Sequence, residues 1–583
     1  RLAYQEFLKS FTSERFVRLK QYGAKVQRPL WASTGTKNKA YSDTLYVDEL
    51  VAADSVNTIP PATLNAFLDH GSTELSIEQD LQRAADNFNT LPELGFDFLR
   101  IAQELEDDGV EKFKQAYLSL LDTIEAKRAF FQAELSNLSE VMPAVVKAAA
   151  SAVYVGSLFD HEPTFWTKDE SGFEEIRNRL GWLSLPGQQF ALIDELTAFR
   201  DQLLAEGFEH SFVLGMGGSS LAPEVMSQAI APLCEEGLKL QIIDTTSPDE
   251  IAMRMQDVDL KKALFIVSSK SGGTSETMSA LKYFWAEVEK IAPDNIGKHF
   301  IAITDPNTSL QDLAYRKSFR KVFNARPDVG GRYSVFTHFG LVPAALMGID
   351  LRKFLAQGDA SDLQSRKNVP YPANPNLMLG LVLGEAAKRG MEKLTFIAEG
   401  YSANLVPWLE QLIAESSGKE GKGILPVENE PELSGFSYPA DRIFIYLKTD
   451  GSKQEFAEGL KNRGKIVLTI SVPGPYALAK EFYRWEYATA IACAVLRVNA
   501  FDQPNVQLSK TIAKEVISAY QQSGKLEDGE PIWENDDVVV YGYKNQEALK
   551  ACNIEELLLN YASDMPENGY IVLSGFLPRS EEN

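Results

Sequence analysis

The 583-residue chain is poor in cysteine, with three residues in all, Cys234, Cys493 and Cys552. They lie far apart and form no CxxC pair, which leaves neither a disulfide framework nor a zinc spacing and fits a reducing, cytoplasmic compartment. Histidine is scarce too: His70, His161, His210, His299 and His338 are the whole set. No run of about 18 apolar residues occurs, so no membrane span is expected. The first residue is Arg1 rather than Met, and no charged-then-apolar signal segment follows. Arg1–Tyr22 reads as a helix entered mid-sequence, so a chain cut at its N-terminus is expected. Positive charge is in short supply, with 58 Lys and Arg against 81 Asp and Glu, a formal net charge of −23. Nucleic acid and anionic membrane both need the opposite balance, so neither is an expected partner. A small anion is not excluded, because a pocket can be locally positive inside an acidic protein.

What is present is an ordinary globular composition, 44% hydrophobic and 24% charged, in a length that allows three or four domains. Residues 1–140 form one block. Arg28–Ser33 (RPLWAS) and Val56–Ile59 read as strands, and Gly109–Leu135 has apolar residues at helical spacing. Asp160–Gly172 (DHEPTFWTKDESG) is a polar, Gly- and Pro-bearing entry loop. Beyond Ser211, apolar β-rich runs alternate with helical stretches. The strands are expected at Phe212–Met216, Leu240–Ile243, Ala263–Ser268 and Phe300–Thr304, with helices at Leu221–Leu233 and Glu276–Ile291. A second round begins near Lys393, with strands at Leu394–Ala398, Ile443–Leu447 and Ile466–Ile470 and helices at Leu405–Ala414 and Ala477–Val498. This pattern predicts two doubly wound α/β domains with parallel sheets covered on both faces. The expected division is 1–140, 141–375 and 376–583.

Two strand-to-helix turns carry the chemistry. GMGGSS, Gly215–Ser220, offers close backbone approach and a helix N-terminus to an anion; a structural tight turn is the other reading. SSKSGGTSETM, Ser268–Met278, packs Ser269, Ser271, Thr274, Ser275 and Thr277 around two glycines, a metal-free phosphate cradle, or else a hydroxyl-rich helix cap. Neither turn has the GxGxxG or GxxxxGK[ST] order, which argues against a dinucleotide or a nucleoside triphosphate.

With the alternating pattern, these turns resemble sugar isomerase domains. Three further segments resemble the glucose-6-phosphate isomerase family: VGGRYSV (Val329–Val335), QLIAESSGK (Gln411–Lys419) and FDQPNVQLSK (Phe501–Lys510). The resemblance implies reversible isomerisation of glucose 6-phosphate and fructose 6-phosphate through an enediolate, with no cofactor and no metal. It implies that Glu415 is the general base moving a proton between C2 and C1. It implies that Arg332 faces the enediolate and that Lys510 stands near the ring oxygen and O1. By the same likeness Ser269, Ser271, Thr274 and Thr277 hold the phosphate, and Gly218, Ser219, Gln411 and Gln503 line the substrate pocket. A homodimer with shared sites is also implied. Taken without the resemblance, Glu415 is a solvated helix-end carboxylate, Arg332 a surface salt bridge and Lys510 an exposed helix lysine. The long-form isomerases place a ring-opening histidine after the glutamate; none of the five histidines lies there, which leaves the ring-opening acid unassigned. His338 reads as a core residue or one supporting the site. Another phosphosugar substrate, such as mannose 6-phosphate, and a non-catalytic sugar-phosphate-binding module are the alternatives, and the module would need neither Glu415 nor Arg332.

Trp31–Val51 (WASTGTKNKAYSDTLYVDELV) and Val56–Phe67 (VNTIPPATLNAF) resemble the late part of a transaldolase, a (β/α)₈ barrel whose chemistry needs a Schiff-base lysine. Ser33 and Lys37 match its substrate pocket. The strand bearing that lysine would precede Arg1, and about 140 residues cannot close a barrel, so this segment is expected to be inactive as a transaldolase. The intact parent would resemble the bifunctional transaldolase/glucose-6-phosphate isomerase fusions.

Overall fold

The structure, a computed structural model, describes residues 1–136, 138–432, 438–526, 531–541, 553–563, 569–572 and 574–575; Cys552 lies outside them. Packing separates two units, Arg1–Ala129 and Phe130–Asn583. The division falls within the Phe98–Ser136 helix, ahead of the expected boundary at 140.

In the first unit, Arg1–Tyr22 is two helices rather than one, Leu2–Thr12 and Glu14–Gln21. Ser13 breaks them: its backbone is extended, and its hydroxyl accepts from the Phe16 N–H at 3.2 Å, a helix cap that the apolar spacing alone conceals. The expected strands shrink to β1, Leu30–Trp31, and β2, Val56–Asn57, which pair in parallel. Among the described residues the buried hydrophobic side chains of this unit are Tyr4, Val47 and Ile77. Two such short strands are far from the eight of a closed barrel.

The second unit holds two parallel sheets. The first consists of β3 (His210–Leu214), β4 (Lys239–Ile243), β5 (Ala263–Ser268), β6 (Phe300–Thr304) and β7 (Lys321–Asn324), in the order β4-β3-β5-β6-β7. The second consists of β8 (Lys393–Ala398), β9 (Leu425–Val427), β10 (Arg442–Lys448) and β11 (Ile466–Ser471), in the order β11-β10-β8-β9. Every residue of β5 and β6 is buried, which is why their sequences are unbroken apolar runs. The first strand of each lobe, β3 or β8, pairs with the third, β5 or β10, and with the second, β4 or β9. The lobes are therefore copies of one winding. The Leu478–Leu496 helix, buried but for Lys480 and Arg484, packs on the Leu351–Leu363, Pro375–Ala387 and Val406–Ser417 helices. A small antiparallel pair, Pro531–Glu534 with Val539–Tyr541, lies further along the chain. Among the described residues no single helix is long and apolar enough to cross a membrane.

Candidate active site

The loops that follow β3 and β5 leave the carboxyl ends of their strands, where doubly wound sheets present ligand-binding crevices. The helix Val406–Ser417 brings Gln411 and Glu415 to this edge. Four residues apart, the two share one helix face, and the Gln411 amide donates to Glu415 Oε1 at 3.1 Å. The other carboxylate oxygen, Oε2, accepts from Arg332 Nη1 at 2.8 Å.

Arg332 is 3% exposed and is fixed on every side. Its Nε donates to Ser416 Oγ at 3.0 Å, and its Nη2 to the carbonyls of Ala500 at 2.9 Å and Asp502 at 3.4 Å. A guanidinium offers its donors in one rigid fork, and here the fork gathers three stretches of chain. Glu415, with 29% of its side chain exposed, is the opening in this otherwise closed arrangement.

The GMGGSS turn needs its glycines for contact. Gly217 adopts φ +56°, and a Cβ there would stand 2.3 Å from the Gln411 amide nitrogen. A Cβ on Gly218 would stand 2.5 Å from the Gly331 carbonyl. The turn therefore presses against both the glutamate helix and the Arg332 segment. Ser219 joins it to the second turn, its carbonyl accepting from Ser268 Oγ at 3.3 Å.

In that second turn Ser269 Oγ and Thr274 Oγ1 are 3.0 Å apart, and Ser271 is exposed with its hydroxyl 3.4 Å from the Gly273 N–H. Thr277 is as buried as Ser269, each 2% exposed, and its hydroxyl has no partner among the described residues. Lys270 reaches Asp305 at 2.9 and 2.7 Å and the Arg326 carbonyl at 3.1 Å. Burial lowers its ammonium pKa despite that carboxylate.

A cleft of about 490 Å³ collects Lys270, Gly330, Gly331, Gln503 and Lys510 with Glu175, Arg179, Phe501, Asp502, Pro504 and Val506. Lys510 and Gln503 thus share one hollow with the arginine segment and the Lys270 turn. Glu175 and Arg179 carry no sequence signature, and Lys270 went unassigned although it stands inside the hydroxyl-rich turn. Lys419 was likewise unassigned, although it closes the ESSGK segment. Its ammonium pairs with the Asp502 carboxylate and bonds the carbonyls of Asn499 and, at 2.9 Å, Asp502, tying down the turn that leads to Gln503. Burial lowers its pKa. Cys493, fully buried beside Ser416, has its thiol pushed up to about 12 by burial and is chemically inert. His338, at the start of the His338–Leu346 helix, packs by Phe323 and meets the Asn324 carbonyl through Nδ1 at 2.8 Å, a supporting position against β7. Ser33 and Lys37 lie in the first unit, both exposed, with Ser33 at φ +58°. Among the described residues no group of three His, Cys, Asp or Glu side chains gathers as a metal ion would require.

Comparison with known proteins gives two families. The phosphoglucose isomerase family matches residues 205–424, and the transaldolase/fructose-6-phosphate aldolase family matches residues 3–124. A transaldolase of Mycolicibacterium smegmatis is 48% identical over 128 residues, 22% of this chain and 34% of that protein. The chain thus spans about a third of the length of the curated transaldolases it matches. A glucose-6-phosphate isomerase of Acaryochloris marina is 28% identical over 358 residues, 54% of this chain and 67% of that protein. Among solved structures, a glucose-6-phosphate isomerase from Chlamydia trachomatis superposes with a TM-score of 0.54 at 18% identity, covering 65% of this chain and 86% of that one. A hypothetical protein from Thermus thermophilus gives 0.56 at 23% identity, covering 65% and 98%. At these identities the superpositions speak to the fold alone, two lobes built on parallel sheets.

Proposed function

With residues 205–424 a phosphoglucose isomerase domain and residues 3–124 a transaldolase segment, we propose that the second unit interconverts glucose 6-phosphate and fructose 6-phosphate. The observation that carries the proposal is the Arg332–Glu415 pair, a part-exposed carboxylate held by a buried guanidinium. One carboxylate can serve both carbons, taking the proton from C2 and returning it to C1 on the same face of the open-chain sugar. Arg332, already fixed, stabilises the charge that develops on the sugar oxygens without reorganising. Lys510, Lys270 and Arg179 bring three cations to the neighbouring cleft beside the carboxylates of Glu175 and Asp502, with Lys270 paired to Asp305. We assign the phosphate to the hydroxyls of Ser269, Ser271 and Thr274 with the adjoining N–H groups, and the sugar hydroxyls to Gln411, Gln503, Gly218 and Ser219. Thr277, whose buried hydroxyl has no partner among the described residues, is assigned with the phosphate hydroxyls on the family likeness.

The family likeness also supports a homodimer in the cytoplasm. Transaldolase chemistry needs a Schiff-base lysine inside a closed barrel; residues 1–129 form no barrel, so that transfer is not assigned to them. The test is a coupled assay of the purified chain with fructose 6-phosphate, run beside Glu415→Gln. The variant should fold normally and lose about 10²–10⁴-fold in kcat, the usual contribution of a general acid–base group. Retention of most of the activity would remove Glu415 from the role.

A further inference from the structure

The two lobes share one winding, so their loops can be compared position by position. In the first lobe, Leu214 on β3 pairs with Val267 on β5, and the next residues are Gly215 and Ser268. In the second, Ala398 on β8 pairs with Leu447 on β10, and the next residues are Glu399 and Lys448. Glu399 therefore occupies the place of Gly215, and the turn Thr449–Lys453 occupies the place of the Ser269–Gly273 turn assigned above to the phosphate. A glycine after β3 leaves that first turn open. A glutamate after β8 has a different consequence.

The Glu399 carboxylate lies inside the Thr449–Lys453 turn with six donors around it. Oε1 accepts from the N–H groups of Thr449 at 2.7 Å, Asp450 at 2.9 Å and Gly451 at 2.6 Å. Oε2 accepts from the Lys453 N–H at 2.8 Å, the Tyr446 hydroxyl at 2.8 Å and Ser452 Oγ at 3.3 Å. Converging backbone N–H groups of this kind form an oxyanion nest, and the residue is 2% exposed. Burial alone would push the carboxyl up; the donors from Lys453, Gly451 and Tyr446 outweigh it and hold the group at about 2. It is charged throughout the physiological range. Glu399 is also the residue from which the chain runs directly through Gly400–Leu405 into the Val406–Ser417 helix. Its own carbonyl accepts from Ser402 Oγ at 2.8 Å, and that hydroxyl also meets the Leu447 carbonyl at 2.9 Å.

We infer that the second lobe carries a counterpart of the phosphate turn filled by the chain's own carboxylate, and that Glu399 is by this contact a positioning residue for Gln411 and Glu415. The first lobe's turn takes its anion from the substrate, and the second takes its anion from β8. One lobe recognises phosphate while the other converts the same construction into an anchor for the base helix. A corollary is one phosphosugar per chain rather than two.

The test uses the full chain with Glu399→Ala and Glu399→Gln, formate as the probe, and chloride at equal ionic strength as the control. Formate is a bare carboxylate small enough for the emptied nest. Glu399→Ala is expected to melt below the parent, and formate should raise its Tm in a saturable way that chloride does not match; the parent should show no such response. The kcat arm rests on the isomerase reading, whereas the melting arm does not, so the two can fail separately. In that arm kcat should fall on the order of 10- to 100-fold, the scale of a misplaced catalytic group, with KM changed less, and formate should restore part of kcat. Glu399→Gln keeps the shape but turns amide hydrogens towards N–H donors, so it should also lose Tm and kcat. If Glu399→Ala does not fold without additive, formate present during refolding should recover it. Formate acting no better than chloride, or Glu399→Gln matching the parent in Tm and kcat, would overturn the inference.

Discussion

Replacing Arg332 by lysine keeps the charge and removes the fork, and the structure gives the size of the loss. Arg332 serves four acceptors, a carboxylate, a hydroxyl and two carbonyls, spread over two stretches of chain, 415–416 and 500–502. An ammonium is a compact point donor. Held against Glu415, it cannot also reach Ser416 Oγ and both carbonyls, so at least two buried acceptors lose their partner. Each orphaned group costs about 1–3 kcal/mol, for a total of roughly 2–6 kcal/mol. Urea unfolding followed by tryptophan fluorescence should show this as a lower midpoint with unchanged slope. Turnover should fall further than stability requires, because a donor fixed at the developing charge contributes about 10²–10³ in kcat. The coupled assay with fructose 6-phosphate, run where the variant is fully folded, separates the two effects. A lysine variant within twofold of the parent in kcat, with the parent's unfolding midpoint, would refute the account of Arg332 as both clasp and electrophile.

Ser271→Ala combined with Thr274→Ala should raise KM for the phosphosugar roughly tenfold or more with little change in kcat, since the turn holds a group that does not react; initial-rate kinetics decide this. Lys419→Met should destabilise by roughly 2–3 kcal/mol, less than a fully buried pair because the Asp502 side chain is 32% exposed, and should raise KM by loosening the turn before Gln503. Two buried carboxyls should show opposite pH behaviour in chemical unfolding. Glu399, at about 2 against an ordinary 4.5, stabilises above the ordinary carboxylate range by about 3 kcal/mol, and this is lost as pH falls through 2. Glu486 is fully buried, neither oxygen has a hydrogen-bond partner among the described residues, and burial raises its pKa well above 4.5. It stays protonated when folded, so its contribution declines as pH rises above the ordinary range; Glu486→Gln should flatten that decline, and an unchanged slope would rule Glu486 out as its source.

The strands that were legible are those buried on both faces. β5 and β6 match their expected ends because each residue carries the apolar signal. β7 and β9 were not read: each is short, lies at a sheet edge and mixes buried with part-exposed residues. Candidate site residues could be proposed from composition where they sit in a run of their own, as Ser269–Thr274 and Gly217–Gly218 do. Glu415 and Arg332 became readable only through family likeness, since a lone helix glutamate or a lone arginine has many ordinary uses. Glu399 left no trace because four of its six partners are backbone N–H groups, which every residue type but proline supplies. Arg179 and Glu175 were missed because the cleft is made by folding together segments that share no local pattern.

The reach of Arg332 along the chain bears on how the protein is made. Glu415 and Ser416 lie 83 and 84 residues beyond it, and the Ala500 and Asp502 carbonyls 168 and 170. Synthesis proceeds from the N-terminus, at about 5–20 residues per second, so the guanidinium leaves the ribosome well before its last two acceptors exist. Until then it stays hydrated, and the first sheet can wind without it. The pocket cannot close before residue 502 has been made, and a polypeptide released between residues 416 and 500 would carry both glycine turns and the glutamate yet lack the carbonyls that complete the frame around Arg332.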